Sequence, residues 1–169
     1  MERVCTQTYG VVGAIVEKDG KILLVRENQP GDPDDKKWNH PAGWIDAGEN
    51  PVEGVKREVK EETGFEFEPT CLIGIYSLVR NDLAAFWGAS PHPIKIIFGG
   101  KIANYSEKNL LGDTSETKWF LPAEIYEMDS NTLRETDIKQ IVKDCFSGKH
   151  YPLEIISHSV MPAVQQNKK

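Results

Sequence analysis

From Thr8 to Val16 the chain is β-branched and glycine-spaced, and after Asp19-Gly20 it returns as Ile22-Leu23-Leu24-Val25. Two apolar runs across an Asp-Gly turn predict a β-hairpin. Val52, Val55 and Val59 then recur at three- and four-residue spacing among polar positions. That is the period of a helix pressing one stripe against a sheet. Asn50 supplies a cap acceptor ahead of it, and Glu53 three positions on makes a capping-box-like pair. Pro51 sits where its missing N–H costs nothing, and Gly64 is placed to stop the helix through a left-handed cap. Cys71 to Val79 predicts a strand buried on at least one face, broken by Arg80-Asn81-Asp82, and Ile94 to Ile102 predicts another. Between them Leu83 to Ser90 fits no single element and reads as a lid or substrate loop. After a polar connection from Asn104 to Ser115, Trp119-Phe120 predicts a short strand leading into a helix that Pro122 begins. Thr132 to Phe146 predicts an amphipathic helix with Leu133, Ile138, Ile141, Val142 and Cys145 on one side. Leu153 to Ile156 is strand-like, and Gln165 to Lys169 is a fraying end.

Composition narrows the class. A chain of 169 residues, 39% hydrophobic, with no linker between differently patterned halves, is expected to form one domain over 1–169. Twenty basic against 26 acidic residues give a net charge of −6. This argues against a bulk electrostatic grip on nucleic acid or an anionic membrane, and leaves room for a small phosphate ester held through a metal. The chain shows no signal-like start and no long apolar segment, so a soluble cytoplasmic protein is expected. Cys5, Cys71 and Cys145 are too widely spaced for a zinc site or a disulfide framework, and are read as small buried hydrophobes. His40, His92, His150 and His158 lack metal-ligand spacing and are expected in loops or at the surface.

The chemistry concentrates on the first helix. Glu58, Glu61 and Glu62 stand at i, i+3 and i+4, so three carboxylates leave adjoining faces within about one turn. Arg57 offsets part of their repulsion through an i, i+4 pair with Glu61, and Glu53 reaches Arg57 at the same spacing. Two carboxylates remain without a local partner. Either the face is simply solvated, as most charge runs are, or it binds a hard divalent cation such as Mg²⁺ or Mn²⁺.

The surrounding residues decide between these. Gly43, Glu49, Arg57, Glu58, Val59, Glu61, Glu62, Gly64 and Phe65 match the pattern Gly-x5-Glu-x7-Arg-Glu-U-x-Glu-Glu-x-Gly-U, with U bulky and apolar. The chain therefore resembles the Nudix hydrolases. Seven fixed identities would coincide by chance on the order of one time in a million. The resemblance covers roughly residues 8–128 and implies an α/β fold, a Nudix-type α/β/α sandwich around a mixed β-sheet. It also implies Mg²⁺-dependent cleavage of a pyrophosphate bond in a nucleoside diphosphate linked to another group, with Mn²⁺ as a substitute. Candidate substrates are modified nucleoside triphosphates, ADP-ribose or nucleotide sugars, and dinucleoside polyphosphates.

By the same resemblance Glu58, Glu61 and Glu62 hold the metal with the carbonyl of Ala42, which stands before the first glycine of the motif. Many relatives carry Pro-Gly-Gly where this chain has Pro41-Ala42-Gly43, but a backbone oxygen ligates whatever its side chain. Arg57 orients the carboxylates. Either Glu116, ahead of Trp119-Phe120, or one of the motif glutamates accepts the water proton. Trp38 or Trp44 is either a platform for a nucleobase or a packing residue. Specificity is expected from Gln29–Trp38 and Leu83–His92, and a homodimer is left open. The rival reading is a Nudix-fold sensor that binds a nucleotide without cutting it, but such proteins usually lose motif carboxylates and this chain keeps them all.

Overall fold

The computed structural model describes residues 8–105 and 114–163; Cys5, the middle of the polar connection and the terminal Gln165–Lys169 lie outside them. Strand β1 (Thr8–Lys18) turns at Asp19 and Gly20, both with positive φ, into β2 (Lys21–Glu27). This is the hairpin the Asp-Gly pair predicts, closed by Lys18 opposite Lys21.

Strand β1 lies at the centre of a mixed sheet. It runs parallel to β6 (His92–Tyr105), which pairs antiparallel with β5 (Phe65–Ser77). On its other side β2 carries β3 (Trp38–Asn39) and β7 (Thr114–Phe120), while β4 (Ala42–Trp44) pairs with β1. Residues Val11 to Val16 are buried without interruption because both faces of β1 are covered. Helix α1 (Pro51–Thr63) covers one face, with Val55 and Val59 against Val12, Ala14, Val16, Phe67 and Phe98. Each of those fully buried valines contributes about 1.5–3 kcal/mol. After a short α2 (Ala84–Trp87), α3 (Pro122–Glu127) and α4 (Ile138–Phe146) cover the other face, where Ile125, Ile138, Ile141 and Val142 meet Ile15, Ile73 and Ile97. The layers are those of the expected sandwich. Among the described residues no helix is long and apolar enough to cross a membrane.

Several local expectations are corrected. Asn50 Oδ1 accepts from the Val52 N–H at 2.9 Å and Gly64 ends α1 at φ 73°, but Glu53 does not return to the cap. It reaches forward to Lys56 at 2.9 Å, and Arg57 takes Glu49 instead of Glu53. Strand β5 begins six residues before Cys71, since Phe67 points inward between exposed Glu66 and Glu68. Helix α4 starts only at Ile138, because Leu133 forms a parallel bridge with Trp38. Leu153–Ile155 is a single 3-10 turn, and Tyr151 makes the bridge to Leu72 instead.

His40 is the largest correction. It is fully buried, its ring packed over Gly13, where a Cβ would come within 2.5 Å of it. Burial, and then the nearby Lys95 charge, lower its pKa to about 4, so it is neutral at physiological pH. Cys71 and Cys145 are free thiols and only half-buried, and burial raises Cys145 to about 11.

Candidate active site

Strand β4 brings the loop before α1 onto β1, with Ala42 opposite Gly13 and Trp44 opposite Val11. Gly43 between them faces the Glu58 carboxyl group so closely that any Cβ there would collide with it. Ala42, Gly43, Trp44, Arg57, Glu58, Glu61 and Glu62 thus line one cavity of about 280 Å³. Helix periodicity alone put the carboxylates side by side; the strand pairing gives them an enclosed wall to face.

Arg57 is the hub of that wall. Its Nε donates to Glu49 Oε1 (2.8 Å) and its Nη1 to Glu58 Oε1 (2.6 Å) and Glu61 Oε2 (3.2 Å). Its Nη2 donates to the Trp44 carbonyl (3.1 Å) and to Glu49 Oε2 (2.9 Å). Five donors therefore meet five acceptors, the full capacity of a guanidinium. Glu62 Oε2 accepts from the Ala42 N–H at 3.0 Å.

Burial raises the Glu58 pKa against the pull of Arg57. Glu62 is pushed well above the usual carboxylate range by burial and then by repulsion from Glu27. Among the described residues no three His, Cys, Asp or Glu side chains already converge on one point, because Arg57 spans Glu58 and Glu61 while Glu62 turns to Ala42. The donor set nevertheless fits a hard divalent cation: the oxygens are all carboxylate or carbonyl, and Arg57 offsets only part of their crowded negative charge.

The NUDIX domain family model matches residues 6–144. The chain belongs to the Nudix hydrolase family. Nudix hydrolases generally work with divalent metal ions, in keeping with this donor set. The chain is 28% identical over 146 residues to Phosphatase NudJ of Escherichia coli strain K12, across 86% of this chain and 88% of that protein. A solved Nudix hydrolase from Nitrosomonas europaea superposes with a TM-score of 0.80 at 30% identity, over 90% of this chain and 98% of that one. The MutT protein from Methanosarcina mazei Go1 follows with a TM-score of 0.65 at 25% identity, over 84% and 96%.

Two sequence candidates take other positions in this Nudix fold. Glu116 sits exposed on β7, opposite Arg26 in register and 3.4 Å from its guanidinium, and does not line the cavity. Trp38 is a core residue, edge-on to Phe120 at 4.9 Å, whereas Trp44 lines the cavity stacked on Tyr9 at 3.9 Å. Sequence reasoning missed Glu27 and Arg134. Glu27 is 2% exposed and pairs with Arg134 Nη1 at 2.9 Å and Asn39 Nδ2 at 3.2 Å. Its one signal was alternation, since Leu23, Val25 and Glu27 fall on one face and put a charge in an inward row. Arg134 carried no signal, because the helical pattern from Thr132 absorbed it.

Proposed function

We propose that this Nudix hydrolase uses Mg²⁺ to cleave a pyrophosphate bond in a nucleoside diphosphate linked to another group. The observation that carries the reading is the single cavity walled by Glu58, Glu61, Glu62 and the Ala42 backbone, with Arg57 holding Glu49, Glu58 and Glu61 together. Glu58, Glu61 and Glu62, with the Ala42 carbonyl, would hold Mg²⁺, which supplies charge neutralisation at the phosphoryl oxygens and acidifies the attacking water. The proton acceptor would be Glu58 or Glu62, which line the cavity, whereas Glu116 is not among its lining residues. Water attacks phosphorus, the bridging P–O bond breaks, and the proton passes to the carboxylate. Arg57, bonded to Glu49 and the Trp44 carbonyl, keeps the approach loop and the carboxylate-bearing helix in place.

Turnover of a nucleotide panel with Mg²⁺, with every product identified, tests the proposal. Release of nucleoside monophosphate places the cut at the inner anhydride bond. Release of orthophosphate and nucleoside diphosphate from a nucleoside triphosphate places it at the outer one; the Escherichia coli relative is named a phosphatase. Binding across the panel without cleavage overturns the proposal in favour of a sensor.

A second expected result concerns pH. Glu27, Glu58 and Glu62 have folded pKa values above the ordinary carboxylate value, so the stability they contribute is complete below about pH 4.5 and is lost as pH rises through the raised values. Mg²⁺ binds the deprotonated form, so its stabilisation should grow with pH. Melting curves at pH 5 and pH 8, with and without Mg²⁺, should show the larger increment at pH 8. Equal increments would put the ion elsewhere.

A further inference from the structure

The cavity that carries the glutamates also carries a guanidinium with unused donors. Among the described residues lining it, the basic ones are Arg57 and Arg134. Arg57 has no donor to give a substrate without releasing a glutamate or the Trp44 carbonyl. Arg134 differs. Its Nε donates to Asp34 Oδ2 at 3.3 Å and its Nη1 to Glu27 Oε1 at 2.9 Å, while its Nη2 makes no hydrogen bond among the described residues.

The mounting of Arg134 is rigid. Its backbone N–H donates to the Trp38 carbonyl at 2.9 Å, and the Trp38 N–H donates to Thr132 at 2.8 Å, so the 132–134 segment is stitched to β3. Asp34, 2% exposed, is gripped through both oxygens by Arg80 Nη2 at 3.0 and 3.1 Å and by Lys37 at 3.2 Å. Glu27 is buried and braced by Asn39. Two buried carboxylates thus hold Nε and Nη1, and Nη2 is left uncommitted on a side chain that lines this cavity and a neighbouring one bounded by Arg80 and Leu83.

An anionic substrate can use such a donor. A guanidinium lining the same cavity as the glutamates matches phosphate oxygens in charge and in planar geometry, and adds to the charge neutralisation that a bound cation would supply. We propose that Arg134 is a phosphate-contacting residue, donating from Nη2 to a phosphoryl oxygen of the bound nucleotide while Glu27 and Asp34 position it. This inference rests on the hydrolytic reading above for the identity of the substrate, and its test is chosen to separate the two.

The test is calorimetric titration of inorganic phosphate and of a nucleoside diphosphate into the metal-loaded protein and into Arg134→Gln and Arg134→Lys. Loss of the Nη2 hydrogen bond should weaken both ligands about 10- to 100-fold in either variant; Arg134→Lys, which keeps a charge beside Glu27 and Asp34, should hold its divalent-cation affinity close to wild type, whereas Arg134→Gln, which strands those two buried carboxylates, should melt lower. A merely structural arginine would lower the melting temperature but leave the phosphate affinity of the folded Arg134→Lys protein at the wild-type value. If Arg134→Gln fails to fold, Arg134→Lys keeps the charge that Glu27 and Asp34 require and decides the matter, since its compact ammonium stays with those two carboxylates. Phosphate affinity within twofold of wild type in either folded variant overturns the proposal. Wild-type protein that binds phosphate through Arg134 yet cleaves no nucleotide sinks the hydrolytic reading and leaves this inference standing.

Discussion

Glu62→Gln is expected to cut divalent-cation-dependent turnover about a thousandfold while leaving the melting temperature at neutral pH equal to or above that of wild type. The amide keeps the volume, and its carbonyl oxygen can still accept from the Ala42 N–H as Glu62 does now at 3.0 Å. What it removes is one charge from the wall proposed to hold the cation. That charge is costly in the metal-free fold, because burial and then Glu27 push the Glu62 pKa well above the usual range. A raised folded pKa means the stability contribution is lost as pH rises through it, so at pH 7 the neutral amide relieves a penalty. Gain in stability with loss of activity marks a side chain kept for function. Steady-state turnover and thermal melts on the same preparation check both halves. Activity within tenfold of wild type in a folded variant would refute the role.

Lys95→Met should destabilise the protein by about 3–5 kcal/mol, or roughly 10 °C in melting temperature. Lys95 is 1% exposed, and its Nζ lies 2.8 Å from Glu135 and 2.6 Å from Asp137. The Asp137 contact is a close ion pair without hydrogen-bond alignment, since neither carboxylate oxygen of Asp137 has a hydrogen-bond partner among the described residues. Methionine fills the space but strands both acids. Burial alone would raise the Glu135 pKa; the Lys95 charge, and then Arg134, override it and hold it at about 2. A depressed folded pKa gives stability that is present above the unfolded value of about 4.5 and lost as pH falls through about 2. The gap between wild type and variant should therefore be widest near neutrality and narrow below pH 4.5. Denaturant titrations across that range measure it, and a gap independent of pH would mean that Glu135 does not depend on Lys95 for its charge.

How much of this was legible in the chain depends on where each contact is made. The Asp19-Gly20 turn, the Asn50 and Gly64 caps and the valine stripe of α1 are local, and local periodicity found them. The grouping of Glu58, Glu61 and Glu62 is also local, one turn of one helix. The start of β5 was hidden because two exposed glutamates flank Phe67, and only pairing with β6 makes the segment a strand. Arg134, Glu27 and His40 were hidden for a stronger reason. Their neighbours come from chain positions far away, and only the alternation of Leu23, Val25 and Glu27 hints at enclosure. Glu116, singled out for its adjacency to Trp119-Phe120, has a cross-strand partner in Arg26 that adjacency along the chain does not reveal.

The division of labour within Arg57 has a consequence for how the protein would accommodate an arriving cation. Nη1 serves Glu58 and Glu61, whereas Nε and Nη2 serve Glu49 and the Trp44 carbonyl. Swinging the two helix carboxylates toward an ion would vacate Nη1 alone, and the other three bonds would still moor the approach loop to the helix. Loading and unloading the ion can then proceed as a rotation of two side chains, with the backbone that shapes the cavity held still.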